Sequence, residues 1–172
     1  MFSGDRIRVV AALARSSVIR EYEERLKAAG LKVGMVGVPI ISLAGLLDTN
    51  KEKVLLLVNI EEGFHSMIAF VGSEVVLCRQ KAWVSLRDPA KGDRLNTLKQ
   101  DIGNTMNYIE DHESGRVDGI WIRLGMVRDK DQIAEELNAG FSCPVRRIES
   151  QITCDMSRDE KELFSPVIGQ LL

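Results

Sequence analysis

The sequence predicts a mixed α/β protein made of two successive blocks, β-α-β-α and then β-β-β-α-β-α-β. Three observations predict it. Nearly unbroken apolar runs recur at 7–14, 31–38 and 53–60, the composition of strands buried on both faces. The connectors that follow the third run are only two or three residues long, which forces antiparallel neighbours. The stretch 94–112 repeats apolar residues at helical spacing.

The elements follow in order. IRVVAALA at 7–14 reads as a strand. Ser16 and Ser17 offer an N-cap, Val18, Ile19, Tyr22, Leu26 and Ala29 mark one helix face, and Gly30 stands where a helix closes through a left-handed residue. Residues 31–38 read as a second strand, parallel to the first because a helix links them. Pro39 opens a short apolar helix over 39–47, since a missing N–H has no cost in a first turn. The polar stretch 48–53, DTNKEK, is the expected boundary, giving blocks 1–50 and 51–172.

In the second block, strands are expected at 53–60, 64–71 and 74–80, the third running on or bending through 83–86 before a loop at RDPAKGD. Leu95, Leu98, Ile102, Met106 and Ile109 define the long helix. VDGIWI at 117–122 is a strand, Asp129 and Gln132 form a capping pair for a helix over 130–139, Gly140 ends it, and 144–148 is a last short strand. The charged tail 149–163 reads as a loop and SPVIGQLL at 165–172 as an apolar helix.

Composition narrows the function. Among 172 residues, 45% are hydrophobic and 28% charged, an ordinary globular balance. A net charge of −2 gives no field that would draw nucleic acid or acidic lipid. The runs VLLLVNI and MIAFV fall well short of the roughly 20 residues of a membrane span, so any membrane role is expected through a partner. Cys78, Cys143 and Cys154 are an odd, scattered set, and MFSGDRIRVV has no continuous apolar leader; both point to a reducing cytoplasm.

The order of the second block is that of ribonuclease-H-like domains, the repeating unit of actin-like ATPases, sugar kinases and heat-shock chaperones. Five segments then match one family in order. RVVAALARSSVIREYEERLKAAGLKVGMVGVP is similar to its strand, helix and strand. VLLLVNIEEGFHSMIAFVGSEVVLCRQ is similar to its second-lobe hairpin. LKQDIGNTMNYIEDHESGRVDGIWIRLG is similar to its long helix and following strand. IAEELNAGFSCPVRRIE and SPVIGQLL are similar to its closing elements. The chain thus resembles the PilM family of type IV pilus assembly proteins. The resemblance implies an actin-like, ribonuclease-H-like second lobe preceded by a β-α-β-α segment of the first lobe. The first half of lobe I, with its phosphate loop, has no counterpart in this sequence.

The resemblance also locates the nucleotide loops. The second phosphate loop maps to Asn59, Glu61 and Gly63, and the adenosine loop to Arg123, Leu124, Gly125 and Met126. Asn59 lacks the charge that would attract Mg²⁺. Glu61 sets an anion where a polyphosphate would lie; two like charges 4 Å apart repel by about 1 kcal/mol in water and about 4 kcal/mol at an effective dielectric near 20. Arg123 and Leu124 crowd the face where adenine would rest, and no Walker A or GxGxxG sequence is present. No ATP or Mg²⁺ cofactor, no metal and no hydrolysis are expected. The implied role is a cytoplasmic, non-catalytic docking scaffold that binds the cytoplasmic tail of an inner-membrane protein of the PilN type. Val9, Ala11, Leu13, Val36, Ile40 and Leu43 are the expected contact residues. The alternative is an ATPase or kinase of the same superfamily with atypical phosphate loops. A homo-oligomer would also cover the apolar elements of the first block.

The remaining candidates have plainer readings. His65 suits an ordinary strand histidine, and His112 a helix-end residue facing the carbonyl dipole. Glu110, Asp111 and Glu113 suit a solvated helix end, and Arg146 and Arg147 a rim pair. Trp83 and Trp121 serve equally as core or as interface residues.

Overall fold

The computed structural model describes residues 9–48, 53–83, 91–113, 115–148 and 155–171. The chain divides into two compact units, Met1–Val38 and Pro39–Leu172.

The first unit contains α1 (Ser16–Ala28). Its C-terminus closes as expected: Gly30 has φ 80°, Gly30 N–H donates to Lys27 O and Leu31 N–H to Leu26 O. That pair of bonds is a Schellman closure, and the left-handed residue in it favours glycine. The N-cap is Arg15, with no side-chain cap bond, so neither serine caps the helix. Residues 9–15 and 31–38 are not strands. A strand is defined by its partner's hydrogen bonds, and among the described residues neither segment joins a ladder. Val9 and Leu13 are 78% and 97% exposed.

The second unit holds α2 (Pro39–Ala44), β1 (Val54–Ile60), β2 (Phe64–Val71), β3 (Glu74–Ala82), α3 (Lys91–Glu113), β4 (Gly119–Leu124), α4 (Lys130–Gly140), β5 (Val145–Arg147) and α5 (Arg158–Leu171). Among the described residues the sheet has five strands in the order β3-β2-β1-β4-β5. The β1–β2 and β2–β3 pairs are antiparallel, and β4 and β5 add in parallel beyond β1. This is the ribonuclease-H-like arrangement expected of the second block.

Central β1 is buried along its whole length, which is why its sequence is apolar without alternation. Alternate residues face opposite layers. Val54, Leu56, Val58 and Ile60 join Met67, Ala69, Ile120, Ile122 and Leu124 in a core with Leu98, Ile102 and Ile109 of α3 and Leu137 of α4. The other face is covered by α2 and α5, which pack on the sheet and on each other. Ile40 and Leu43 are buried there; they are core residues of this unit and offer no surface to a partner.

Two further expectations change. The helix over 130–139 forms, but Asp129 sits at φ 54° without a cap bond, and Gln132 pairs with Glu136 instead. The expected loop over 149–163 is helical from Arg158 onward, and residues 149–154, Cys154 among them, lie outside the described residues. Trp83 lies beyond the end of β3, and 84–86 are likewise outside them. Among the described residues no helix is long and apolar enough to cross a membrane.

Candidate functional site

The sequence-derived site lies where β1 and β4 end side by side. Parallel register sets Asn59 beside Arg123 and Ile60 beside Leu124, and Gly125 N–H continues the ladder to Ile60 O at 2.9 Å. Asn59, Glu61 and Gly125 are therefore brought together. Gly63 closes the β1–β2 turn, where its carbonyl accepts from Trp83 N–H at 3.1 Å.

Arg123 is the hub. Its side chain is buried, and Nη1 donates to Asn59 Oδ1 at 2.8 Å and to Glu61 Oε1. On its other edge, Nε donates to Glu162 O at 3.0 Å and Nη2 to Leu163 O at 2.8 Å. The helix provides these acceptors for a covalent reason. Pro166 lies inside α5, has no N–H, and leaves the carbonyl four residues earlier, that of Glu162, without its helical donor. Ser165 Oγ takes the same oxygen at 2.7 Å.

Glu61 fills the space above Gly125. Its second carboxylate oxygen accepts from Met126 N–H at 3.2 Å, and a Cβ on Gly125 would overlap the carboxyl group. The backbone glycine that a nucleotide loop would use for close approach is here covered by a side chain of the protein itself. The Asn59 amide nitrogen is buried with no acceptor.

A second carboxylate lies behind this cluster. Glu162, 3% exposed, accepts from Leu124 N–H at 3.0 Å, Arg147 Nη2 at 2.5 Å and Lys130 Nζ at 3.3 Å. Arg147 also donates to Asp131 at 2.6 Å. Burial opposes the Arg147 charge, but the bond to Glu162 and the nearby Asp131 and Asp159 more than offset it and hold the pKa above its usual value. Arg147 is thus a structural ion-pair residue as well as part of a basic pair. Sequence reasoning missed Glu162 altogether. Its available signal was an acidic residue four positions before a proline in an amphipathic run.

On the opposite face, His65 of β2 is 2% exposed. Its Nε2 lies 3.3 Å from Asp101 Oδ2 of α3, yet neither ring nitrogen makes a formed hydrogen bond. Asp101 is taken instead by Lys81, with Arg79 3.7 Å away. Burial is the largest influence on His65 and depresses its pKa; Asp101 opposes this, and Arg79 and Lys81 reinforce it. The balance favours the neutral ring. It lies 4.7 Å from the Trp83 ring, and Trp83 Nε1 donates to Glu61 O at 2.9 Å. Trp83 thereby pins the turn that carries Glu61. His112 hydrogen-bonds the Tyr108 carbonyl at 2.9 Å near the end of α3, in keeping with a helix-end role. Arg146 lies over the Trp121 ring at 5.5 Å.

No protein-family model matches the chain, and no curated protein matches it in sequence. Solved structures do. A chain of the PilM–PilN type IV pilus biogenesis complex superposes with a TM-score of 0.68 at 15% identity, over 91% of this chain and 57% of that one. A Bacteroides thetaiotaomicron protein of actin-like ATPase fold and unknown function gives a TM-score of 0.39 at 13% identity, over 73% of this chain and 41% of that one. A ROK hexokinase from Thermus thermophilus gives 0.38 at 12% identity, over 55% and 32%. At 15% identity the first of these likenesses is one of fold. The chain spans little more than half the length of the PilM–PilN complex chain it matches.

Proposed function

We propose that the chain is a non-catalytic docking scaffold of a type IV pilus or related secretion machine, binding at the cytoplasmic face the tail of an inner-membrane partner of the PilN type. The observation that carries this reading is the superposition on the PilM–PilN complex at a TM-score of 0.68 over 91% of the chain. The absence of turnover is supported by Glu61 and Arg123. They fill with protein charge the ground that Mg²⁺ and phosphate would need, and phosphoryl transfer depends on positioned metal and phosphate contacts. Among the six expected contact residues, Val9, Ala11, Leu13 and Val36 remain exposed.

The test is titration of the purified chain with a synthetic peptide carrying the cytoplasmic tail of the PilN-type protein from the same organism. Saturable binding, lost in Leu13→Asp and Val36→Asp variants of unchanged melting temperature, is expected. No binding by the folded chain overturns the docking reading, and unchanged binding by the variants overturns the contact assignment. Calorimetry with Mg-ATP tests the other half: affinity tighter than about 100 μM, roughly −5.5 kcal/mol, would favour an ATPase or kinase instead.

A further inference from the structure

We propose that Arg123, Gly125 and the Met126 amide form a binding site for a single carboxylate group, and that Glu61 holds this site shut by occupying it. The inference stands apart from the docking reading. The donor set is what a carboxylate ligand requires. One oxygen receives a charged guanidinium N–H from Arg123, and the other receives the Met126 N–H at 3.2 Å. The group rests on a residue without a Cβ, and any side chain at 125 would displace it. Two donors placed to meet two oxygens favour a planar carboxylate.

The occupant belongs to a turn rather than to the sheet. Glu61 follows the last residue of β1, and its neighbours Glu62 and Gly63 are exposed. Nothing within 4 Å would obstruct a Cβ on Gly63, so that side of the turn is open. The turn is tied down by the Trp83 indole on the Glu61 carbonyl at 2.9 Å and by the Glu61 N–H on Phe64 O at 2.9 Å. The Glu61 side chain keeps 20% of its surface exposed while that of Arg123 keeps 3%. Carboxylate exchange therefore takes place at the surface without unpacking Arg123. A buried guanidinium that loses its carboxylate demands another anion, and the buried Asn59 amide nitrogen, which has no acceptor, adds a donor to the same end of β1.

The test is chemical rescue of Glu61→Ala. Its melting temperature is compared in acetate or formate with chloride at matched ionic strength. A rise of about 2–4 °C or more in acetate, absent from the wild type, is expected. In the double variant Glu61→Ala, Gly125→Ala the new methyl takes the vacated space and the rescue disappears. If Glu61→Ala is unfolded in chloride, recovery of its circular dichroism in acetate is the same result. A variant that responds no more than the wild type, or stays unfolded in acetate, overturns the proposal. Rescue by phosphate but not by acetate overturns the assignment to carboxylates. Stronger rescue by an end-blocked glutamyl peptide than by acetate supports a peptide as the source of the group, and equal rescue supports a small free acid.

Discussion

Arg123 reaches α5 at the place where Pro166 withholds a hydrogen bond. The Nε–H of Arg123 supplies Glu162 O at 3.0 Å, the oxygen that a non-proline residue at 166 would have satisfied from within the helix. A covalent feature of one element thus creates the acceptor that ties it to another.

Replacing Arg123 with Met keeps much of the side-chain length but removes every one of these bonds. It leaves the Glu61 carboxylate without its cation and Glu162 O with Ser165 alone. A loss of about 3–5 kcal/mol, the cost of breaking a buried pair from one side, is expected from urea denaturation. Pro166→Ala should cost far less, since it returns the N–H that the helix lacks. If the two variants were equally damaging, Arg123 would not be the joint between sheet and helix.

The α2–α5 contact depends on two glycines. A Cβ on Gly45 would lie 2.6 Å from Gly169 O, and one on Gly169 would strike Ser42 O. Backbone atoms on both sides cannot yield as a side-chain tip can. Gly45→Ala and Gly169→Ala should each lower stability by about 1–3 kcal/mol. Gly103 of α3 is the internal contrast, because nothing lies within 4 Å of its Cβ position. Gly103→Ala should raise stability by about 0.5–1 kcal/mol, and thermal melts of the three variants would show opposite signs.

His65 makes stability depend on acid. Its pKa is depressed in the folded chain from an unfolded value near 6.5, so the unfolded chain binds the proton first. The stabilising effect is complete above about pH 6.5 and is lost as the pH falls from there through the folded value. The melting temperature of the wild type should fall more between pH 7.5 and 5.5 than that of His65→Gln, which has no proton to take. Equal slopes would remove His65 as the cause.

The second block was largely legible because its signals are local. β2 spans Phe64–Val71 as the short connectors on either side of it predict, and α3 buries Leu98, Ile102 and Ile109 as its period requires. What was illegible depends on partners. Residues 7–14 and 31–38 carry strand composition, but composition cannot supply the neighbouring ladder that makes a strand; among the described residues 9–14 and 31–38 join no ladder, and 7 and 8 lie outside them. The charged run before Pro166 reads as solvated until Arg147, Lys130 and the Leu124 amide gather around Glu162. Arg123 was read as an obstruction to adenine. Its partners come from β1, the turn after it and α5, and no spacing in the sequence announces that meeting.

The glycine crossing has a topological consequence. Ser42 lies in α2 and Gly169 two residues before the end of α5, so α2 near its start and α5 near its end meet at one spot in this unit. A short bridge could join those ends and a new opening be cut at the β2–β3 turn, where Gly72 sits at φ 58° with open space around it. A circularly permuted second unit of this kind should fold to the same sheet, with α2 and α5 now covalently consecutive.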